Sequence, residues 1–513
     1  MRRVACLVYA GLAVPCFLSA QRSGPDAAVG SISSTAYQRL IGVIAHDSMM
    51  GRDTPSRGLD LTAQWVANEF RRLGLTPGGD GGEYIQRYPI QQVRIDPRAS
   101  SVAVRGGPTW RVGREVMRTF GGFAPDGVTG RTVIVSGQAR NGAAYGTMEL
   151  EGAVVFVVLP TENGRLAGRE AQLMLRGLSA RNPAALIGIA DVNDEVWRDY
   201  ATRQSATSVR IPWRERGNGT PIVLMRDPSV QSLLRDHGFD LASARRRPAN
   251  LAAEPLTGLA LTVTMTPQLA GAFEAPNTVG ILEGSDPQLK NEYLVYSAHM
   301  DHVGTAGTNC RASGADTICN GADDDASGTV GIVQLARAYA MLSPRPRRSI
   351  IFLTVSGEEK GLWGSDYFAG HPPVPIGQIV ADLNADMIGR NWPDTIVAIG
   401  KEHSDLGATL NRVNAAHPEL RMTAIDDIWP NERFYFRSDH YNFARRGVPI
   451  LFFFNGTHPD YHRPSDEVDE IDSEKASRIV RLLFYIGLDV ANADRRPQWN
   501  PESYKEIVSS SDR

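Results

Sequence analysis

The sequence feature that most constrains the fold is a run of three adjacent aspartates, Asp323, Asp324 and Asp325, within residues 320–339. A protein core does not hold three unpaired carboxylates, because burying a charge without a partner is costly. An Ala-Ser-Gly sequence and an apolar stretch with helical spacing follow directly. The acids are therefore predicted at a loop-to-helix junction, where carboxylate oxygens can bind cations.

Composition and charge argue against nucleic acid as a partner and against a membrane span. The 513 residues are enough for several domains and a large core. The formal net charge of −3 provides no basic surface for nucleic acid. The mean hydropathy is −0.24, and no long apolar segment follows the N-terminus, which argues against a membrane span. We expect a multidomain globular protein, and the sequence leaves its oligomeric state open.

Residues 1–20 differ from the rest of the chain. Arg2 and Arg3 precede an apolar stretch over residues 4–18, and Ser19 and Ala20 follow. This order predicts a secretory signal peptide that is removed after residue 20, the alternative being a buried N-terminal helix. The mature protein is then exported, to the periplasm or beyond the cell.

Two of the four cysteines remain beyond residue 20, Cys310 and Cys319. In an oxidising compartment, two cysteines this close in sequence most simply form a disulfide, and two free thiols are the alternative. The disulfide would close a short loop just before the aspartate run, so its reduction is expected to loosen a metal site there.

Changes in local pattern divide the mature chain into four parts. Residues 21–95 contain two amphipathic helical patterns. Residues 96–270 contain short β-like runs between Gly, Pro, Asn and Asp clusters, which predict an inserted β-rich α+β domain. In residues 271–495 strands alternate with helices, which predicts an α/β domain with a mostly parallel mixed sheet and helices on both faces. Residues 496–513 are predicted to be a polar tail.

Polar residues follow the predicted strands of the α/β domain at the ends where such sheets build their sites. His299 and Asp301 are two residues apart, so they point to the same side, and Asp301 can orient the imidazole. Glu358 and Glu359 are adjacent, so one can bind metal while the other transfers a proton. Histidines and carboxylates in this number suit two zinc ions. The full set is His299, Asp301, Asp324, Glu358, Glu359, Asp386 and His462.

Several motifs in this order resemble the M28 family of zinc-dependent peptidases, and the resemblance covers residues 277 to about 491. It rests on SAHMDHVG, NGADDDASGTVGIVQLARAY, SGEEKGLWGS, LNADMIG, SDHYNFARRGVPILFF and YHRPSDEVDEID. The segment MMGRDTPSRGLDLTAQWVANEFRRLGLTP resembles exported bacterial members of the family. The inserted domain resembles a protease-associated domain in its pattern of short β-like runs and in its position in the chain.

The resemblance implies a role for each site residue. Asp324 would bridge two zinc ions, Glu358 would be the general base, and Asp301 would support His299. His302 and Asp325 would support the site without binding metal. The residue that stabilises the oxyanion stays open among Tyr435, Arg437 and His440. The implied zinc ligands are His299, Asp324, Glu359, Asp386 and His462.

The expected function is hydrolysis of peptide bonds by an exported dinuclear zinc exopeptidase, most simply an aminopeptidase. A carboxypeptidase of the same family is one alternative. A glutaminyl cyclase-like acyl-transfer enzyme with one zinc ion is another, and a binding protein without catalysis is the third.

Overall fold

The computed structural model describes residues 24–119, 121–137, 148–204, 207–214, 219–246, 250–307 and 309–508. The predicted signal peptide over residues 1–20 lies outside this part of the chain. The chain forms two compact units, Met1–Tyr88 with Glu274–Arg513, and Pro89–Phe273. The sequence placed the insert at 96–270, so the structure moves both of its boundaries outward by a few residues.

A mixed sheet with four parallel strands at its middle forms the centre of the first unit. Tyr293–His299 pairs in parallel with Ser349–Val355 on one side and with Ile379–Asp386 on the other. Ile379–Asp386 in turn pairs in parallel with Ile450–Phe454. The predicted fold class is confirmed. The remaining strands, at the flanks of this sheet, are Thr76–Pro77, Ile85–Ile95, Pro267–Leu282, Thr395–Ile399 and Thr423–Ile425.

The central strands are rich in apolar residues and buried over almost their whole length because both faces of the sheet are covered. Every residue of Ser349–Val355 is buried. Leu294 and Tyr296 pack into one core, which includes the helices Ala326–Met341 and Ser473–Asn492. The intervening Val295 packs into a second core on the other face. Helices therefore lie on both faces, as the sequence predicted.

The helix predicted to follow the aspartate run is present as Ala326–Met341. Asp325 caps the helix Ala326–Met341 by accepting a hydrogen bond from Gly328 N–H. None of the helices in the described part of the chain has the length and apolarity that a bilayer span requires. The α-helices are Pro25–Val29, Ser34–Ile44, Arg57–Arg72, Ala326–Met341, Trp363–Gly370, Leu406–Ala416, His440–Ala444, Ser473–Asn492 and Pro501–Ile507. Short 3₁₀ turns are Asp47–Arg52, Asp80–Gly82, Leu289–Asn291, Ile376–Gln378, Pro418–Leu420, Phe434–Phe436 and Val468–Glu470.

The end of the chain corrects the prediction of a polar tail. Residues Pro501–Ile507 form a helix, with Asn500 accepting a hydrogen bond from Glu502 N–H as its cap. The indole of Trp499 donates to a backbone carbonyl, and Ile507 is buried in the core. An Asn-Pro pair is a helix-start signal, and two apolar side chains are enough to fix a short polar helix to the unit.

The second unit is built on its own eight-stranded sheet. Its four central strands are parallel, namely Ala124–Ser136, Val154–Val158, Ala185–Ala190 and Ile222–Arg226. Antiparallel strands flank them. The other strands of this sheet are Ser101–Val104, Thr109–Arg111, Val116–Arg118 and Ala252–Met265. Thr161–Glu162 and Arg165–Leu166 pair as a separate hairpin, and Ser208–Arg210 pairs with the strand Ile85–Ile95. The helices are Gly168–Ser179, Asp194–Arg203, Asp227–Asp236, Leu241–Arg246 and the 3₁₀ turn Pro212–Arg214.

Candidate metal centre

The carboxyl ends of three parallel strands bring the predicted residues to one edge of the sheet. His299 is the last residue of its strand, and Asp386 is the last residue of the next. Glu358 and Glu359 lie in the turn that follows Val355. Adjacent parallel strands end side by side, so side chains far apart in the sequence meet here.

A first group of donor atoms consists of His299, Asp324 and Asp386. The Nε2 atom of His299 lies 3.3 Å from Oδ1 of Asp324 and 3.6 Å from Oδ1 of Asp386. All three side chains are buried, and their donor atoms lie within 4.8 Å of one another. One cation fits between them.

A second group consists of Asp324 again, with Glu359, His462 and His302. The Nε2 atom of His462 lies 3.3 Å from Oδ2 of Asp324 and 3.1 Å from Oε2 of Glu359. Asp324 thus presents one carboxylate oxygen to each group. This arrangement suits two cations that share one carboxylate.

Zinc fits this donor set. Imidazole nitrogens and carboxylate oxygens are its normal ligands. Buried polar atoms are nearly always hydrogen-bonded. Here, however, Nε2 of His462, Oε1 of Glu359, Oδ1 of Asp386 and both ring nitrogens of His302 make no hydrogen bond to any described residue. Their convergence on one place is explained if they face metal ions.

His302 enters the second group, although the sequence analysis gave it a supporting role. Its Nδ1 atom lies 3.0 Å from Oε1 of Glu359 and 3.6 Å from Oδ2 of Asp324. The ring is fully buried. It lies as close to Glu359 as His462 does, so it can support that carboxylate or share its metal.

The outer aspartates of the run hold the loop, while Asp324 faces the donor groups. Asp325 accepts hydrogen bonds from Gly328 N–H at 2.7 Å and from His299 N–H at 3.1 Å. Asp323 accepts one from Gly389 N–H at 2.6 Å. The sequence analysis had assigned Asp325 such a supporting task.

A further buried carboxylate, Asp466, was not singled out from the sequence. Its oxygens accept the backbone N–H groups of Asp323 and Asp324, at 3.0 Å and 3.2 Å. Asp466 therefore fixes the backbone of the loop that carries the aspartate run. It lies four residues after His462, but nothing in the local pattern separates it from the exposed acids that follow it.

Glu358 and Asp301 meet through the backbone. The N–H group of Glu358 donates to Oδ1 of Asp301 at 3.3 Å. The same Oδ1 atom lies 3.6 Å from Nδ1 of His299, and that ring nitrogen is 3.2 Å from the backbone oxygen of Asp301. Burial, opposed by the charge on His299 and reinforced by Glu359, raises the pKa of the Glu358 carboxyl well above its usual range.

A pocket opens beside these residues. One wall is aromatic and apolar, formed by Phe434, Phe452, Phe454 and Met387. Tyr461 also lines it, and its ring stacks on that of His462 with 3.8 Å between centroids. The remaining lining residues are His299, Asp324, Glu358, Asp386, Arg437, Ser438 and Thr457. An apolar side chain placed against this wall would have its backbone beside Glu358.

Of the three residues considered for the oxyanion, the structure brings only Arg437 into the pocket. Tyr435 and His440 lie in the core behind it, where Nε2 of His440 is 2.8 Å from the backbone oxygen of Tyr435. The His440 ring stacks on Phe452 at 4.3 Å. Both side chains are buried outside the lining of this pocket, so their role as substrate-contacting groups stays a prediction that this geometry does not favour. Tyr461 lines the pocket instead.

We expect His440 to make the fold sensitive to acid. Burial lowers the pKa of His440 to about 3, so the folded protein leaves it neutral while the unfolded chain protonates it from about pH 6.5 downward. Stability is therefore lost between those values as pH falls, by at most about 1.4 kcal/mol per pH unit. Below about pH 6, the free energy of unfolding measured with urea should fall more steeply with decreasing pH in the wild type than in His440→Asn. Parallel pH profiles would contradict this.

The predicted disulfide between Cys310 and Cys319 is present. Cys319 N–H donates to the backbone oxygen of Gly304 at 3.0 Å. Its sulfur lies 3.6 Å from the backbone oxygen of His462. The bond therefore closes a loop that adjoins the second donor group.

Comparison with known proteins gives consistent similarities. Residues 277–487 match the sequence model of Peptidase family M28. A probable zinc metalloprotease of Pyricularia oryzae is 37% identical over 263 residues, which is 42% of this chain and 50% of that protein. Aminopeptidase YwaD of Bacillus subtilis is 24% identical over 245 residues, 45% of this chain and 48% of that protein. The chain spans about half the length of the curated relatives it matches.

One solved structure with a similar course is an aminopeptidase from Aneurinibacillus sp. strain AM-1. The alignment has a TM-score of 0.49 and 16% sequence identity, and covers 93% of this chain and 98% of that one.

Proposed function

Residues 277–487 belong to peptidase family M28, and on that premise we propose that the chain is a zinc-dependent exopeptidase with two zinc ions, of the aminopeptidase type. The observation that carries the proposal is the pair of donor groups that share Asp324. Relatives named as zinc metalloprotease and aminopeptidase support it.

Each predicted ligand has a place in this proposal. His299 and Asp386 would hold one ion, Glu359 and His462 would hold the other, and Asp324 would contribute to both. When bound, zinc supplies Lewis-acid polarisation of the scissile carbonyl and of the attacking water.

Glu358 takes a proton from the attacking water as the water oxygen forms a bond to the carbonyl carbon. It then gives that proton to the leaving amine nitrogen as the carbon–nitrogen bond breaks. Its place in the pocket beside His299 and Asp324 supports this role. Tyr461, whose pKa is raised by burial and by the nearby carboxylate of Asp324, keeps its proton and can donate to the developing oxyanion.

The pocket suggests the substrate. Its wall of Phe434, Phe452 and Phe454 suits an apolar amino-terminal side chain. We therefore propose peptides with Leu, Met or Phe at the N-terminus as substrates.

A carboxypeptidase is the second candidate, and Arg437 is the observation that favours it. Its guanidinium lies over the Phe434 ring, 4.7 Å from the centroid, at the pocket. A guanidinium suits a carboxylate. A peptide set blocked at either end separates the candidates: an aminopeptidase fails on N-acetylated peptides and cleaves C-terminal amides, and a carboxypeptidase does the reverse.

The single-zinc cyclase is the less favoured alternative, because two donor groups share Asp324. The deciding experiment is a screen of aminoacyl fluorogenic substrates with and without chelator, together with zinc counting. Hydrolysis that chelator abolishes and two equivalents of zinc restore is expected. Binding of only one zinc ion by the fully active protein would favour the single-zinc cyclase.

Replacing His302 or His462 should have different effects on metal content. We propose that His302, whose Nδ1 atom lies 3.0 Å from Oε1 of Glu359, supports that carboxylate rather than binding metal, because ligating carboxylates are commonly held by such partners. His302→Ala should weaken zinc binding by about 10- to 100-fold while two ions still bind at saturation. His462→Ala should bind only one. Competition titrations with a chromophoric chelator measure both, and equal losses in the two variants would make His302 a ligand.

We also propose export through residues 1–20. N-terminal sequencing of the protein expressed in a bacterial host should show a mature chain beginning near Gln21, and a chain that keeps residues 1–20 would contradict this.

A further inference from the structure

Residues 51–54, which precede the family-matched region by more than two hundred positions, contact three of the loops at the candidate metal centre. Gly51 accepts a hydrogen bond from Gly304 N–H at 3.0 Å. A Cβ atom at Gly51 would lie 2.4 Å from the backbone oxygen of Gly304 and 2.5 Å from that of Cys319. Only glycine fits this approach.

Arg52 fills the space between two of these loops. Its side chain is completely buried. The guanidinium donates to the backbone oxygens of Met300 at 2.8 Å, Asn320 at 2.6 Å and Gly321 at 3.0 Å. It thereby ties the loop after His299 to the loop before the aspartate run.

Thr54 serves the third loop, which carries Glu358. Its side chain is 3% exposed. The hydroxyl donates to Oδ2 of Asp301 at 2.9 Å and accepts a hydrogen bond from Gly357 N–H at 3.1 Å. The other oxygen of Asp301 accepts from Glu358 N–H at 3.3 Å. Two consecutive N–H groups of the turn are thus held, one by Thr54 and one by the carboxylate that Thr54 orients.

A contact on the far side of the turn supports the same arrangement. The ammonium of Lys360 lies 2.6 Å from Oδ1 of Asp53. Both side chains are partly exposed, so this pair adds little stability by itself. The two adjacent residues Asp53 and Thr54 thus contact both ends of the turn 357–360, at Lys360 and at Gly357.

We propose that Thr54 is a positioning residue for Glu358, acting through Asp301 and the Gly357 amide. The proposal rests on the proposed function, since it takes Glu358 as the general base. A hydroxyl that donates and accepts at once cannot be replaced by a methyl group without leaving both partners unpaired. A displacement of the base by about 1 Å can lower the rate about 100-fold.

Three variants test this. Thr54→Val keeps the shape and removes the hydroxyl, and Thr54→Ser restores the hydroxyl. Thr62→Val is the matched control, because Thr62 is also fully buried and its hydroxyl donates only to Gly58 O in its own helix. We expect Thr54→Val to lower kcat about 10- to 100-fold with KM little changed. Thr54→Ser should recover most of the loss, and Thr62→Val should keep the wild-type kcat.

Zinc content and backbone exchange supply readouts other than activity. Thr54→Val should still bind two zinc ions, and amide hydrogen exchange over residues 357–360 should become faster. Unchanged kcat, no recovery in Thr54→Ser, or loss of zinc in Thr54→Val would overturn the positioning role.

Failure of the proposed function is a separate result. A wild-type protein that binds zinc but hydrolyses no substrate would overturn the peptidase activity. In that case, faster exchange over residues 357–360 in Thr54→Val but not in Thr62→Val still supports the positioning of the turn, and unchanged exchange overturns it.

Discussion

Replacing Glu358 with glutamine should lower kcat by about 10³- to 10⁴-fold while two zinc ions remain bound. Glutamine fills the same volume beside His299 and Asp324 but cannot accept a proton, so the loss measures general base catalysis. The metal donor groups do not include Glu358. Steady-state kinetics with a leucyl fluorogenic substrate and zinc analysis of the same sample make the measurement.

The neighbouring Glu359→Gln variant provides the matched control. It carries the same chemical change one residue away, but its Oε2 atom lies 3.1 Å from His462 in the second donor group. It should lose about one zinc ion. If Glu358→Gln retained wild-type kcat, or lost metal as Glu359→Gln does, Glu358 would not be the base.

Replacing Asp324 with asparagine should remove activity and weaken both zinc sites together. The two oxygens of Asp324 face different groups, Oδ1 toward His299 and Oδ2 toward His462. An amide has a single weak oxygen donor and no charge, so it cannot serve both ions. We expect zinc affinity to fall about 100-fold or more at both sites, with kcat below detection.

Two neighbouring aspartates make this result specific. Asp386→Asn changes only the first donor group, so it should weaken one site and leave the other. Asp323→Asn changes a hydrogen bond to Gly389 and no donor group. Calorimetric zinc titration distinguishes the three. Two intact sites in Asp324→Asn would show that the carboxylate does not bridge.

Much of the fold could be read from the sequence, because buried parallel strands are continuous apolar runs. Ser349–Val355, which reads Ser-Ile-Ile-Phe-Leu-Thr-Val, is such a run, and every residue of the observed strand is buried. Several site residues were accessible for a related reason: His299, Glu358 and Asp386 stand at or just after the ends of such runs, and adjacent parallel strands end together. His299 and Asp386 meet by this rule alone.

Other features could not be read from local patterns. Arg52 and Thr54 bond to residues of the site loops that lie 247 to 303 positions away, and no periodicity signals such contacts. His302 follows Asp301 directly, where alternation along a strand no longer applies because the strand ends at His299. The pocket position of Tyr461 depends on the loop after Ile450–Phe454, whose course the sequence does not specify.

The reach of Arg52 also bears on the order in which the molecule assembles. Apart from the carbonyl of Ile44, the acceptors of its guanidinium are those of Met300, Asn320 and Gly321, which are synthesised much later. Meanwhile Pro89–Phe273, a continuous stretch with its own cores, can fold as soon as it is complete. Contacts of such long sequence separation form slowly. We expect nascent chains to carry a folded Pro89–Phe273 unit while the two segments of the first unit have not yet packed together. Zinc would then bind last.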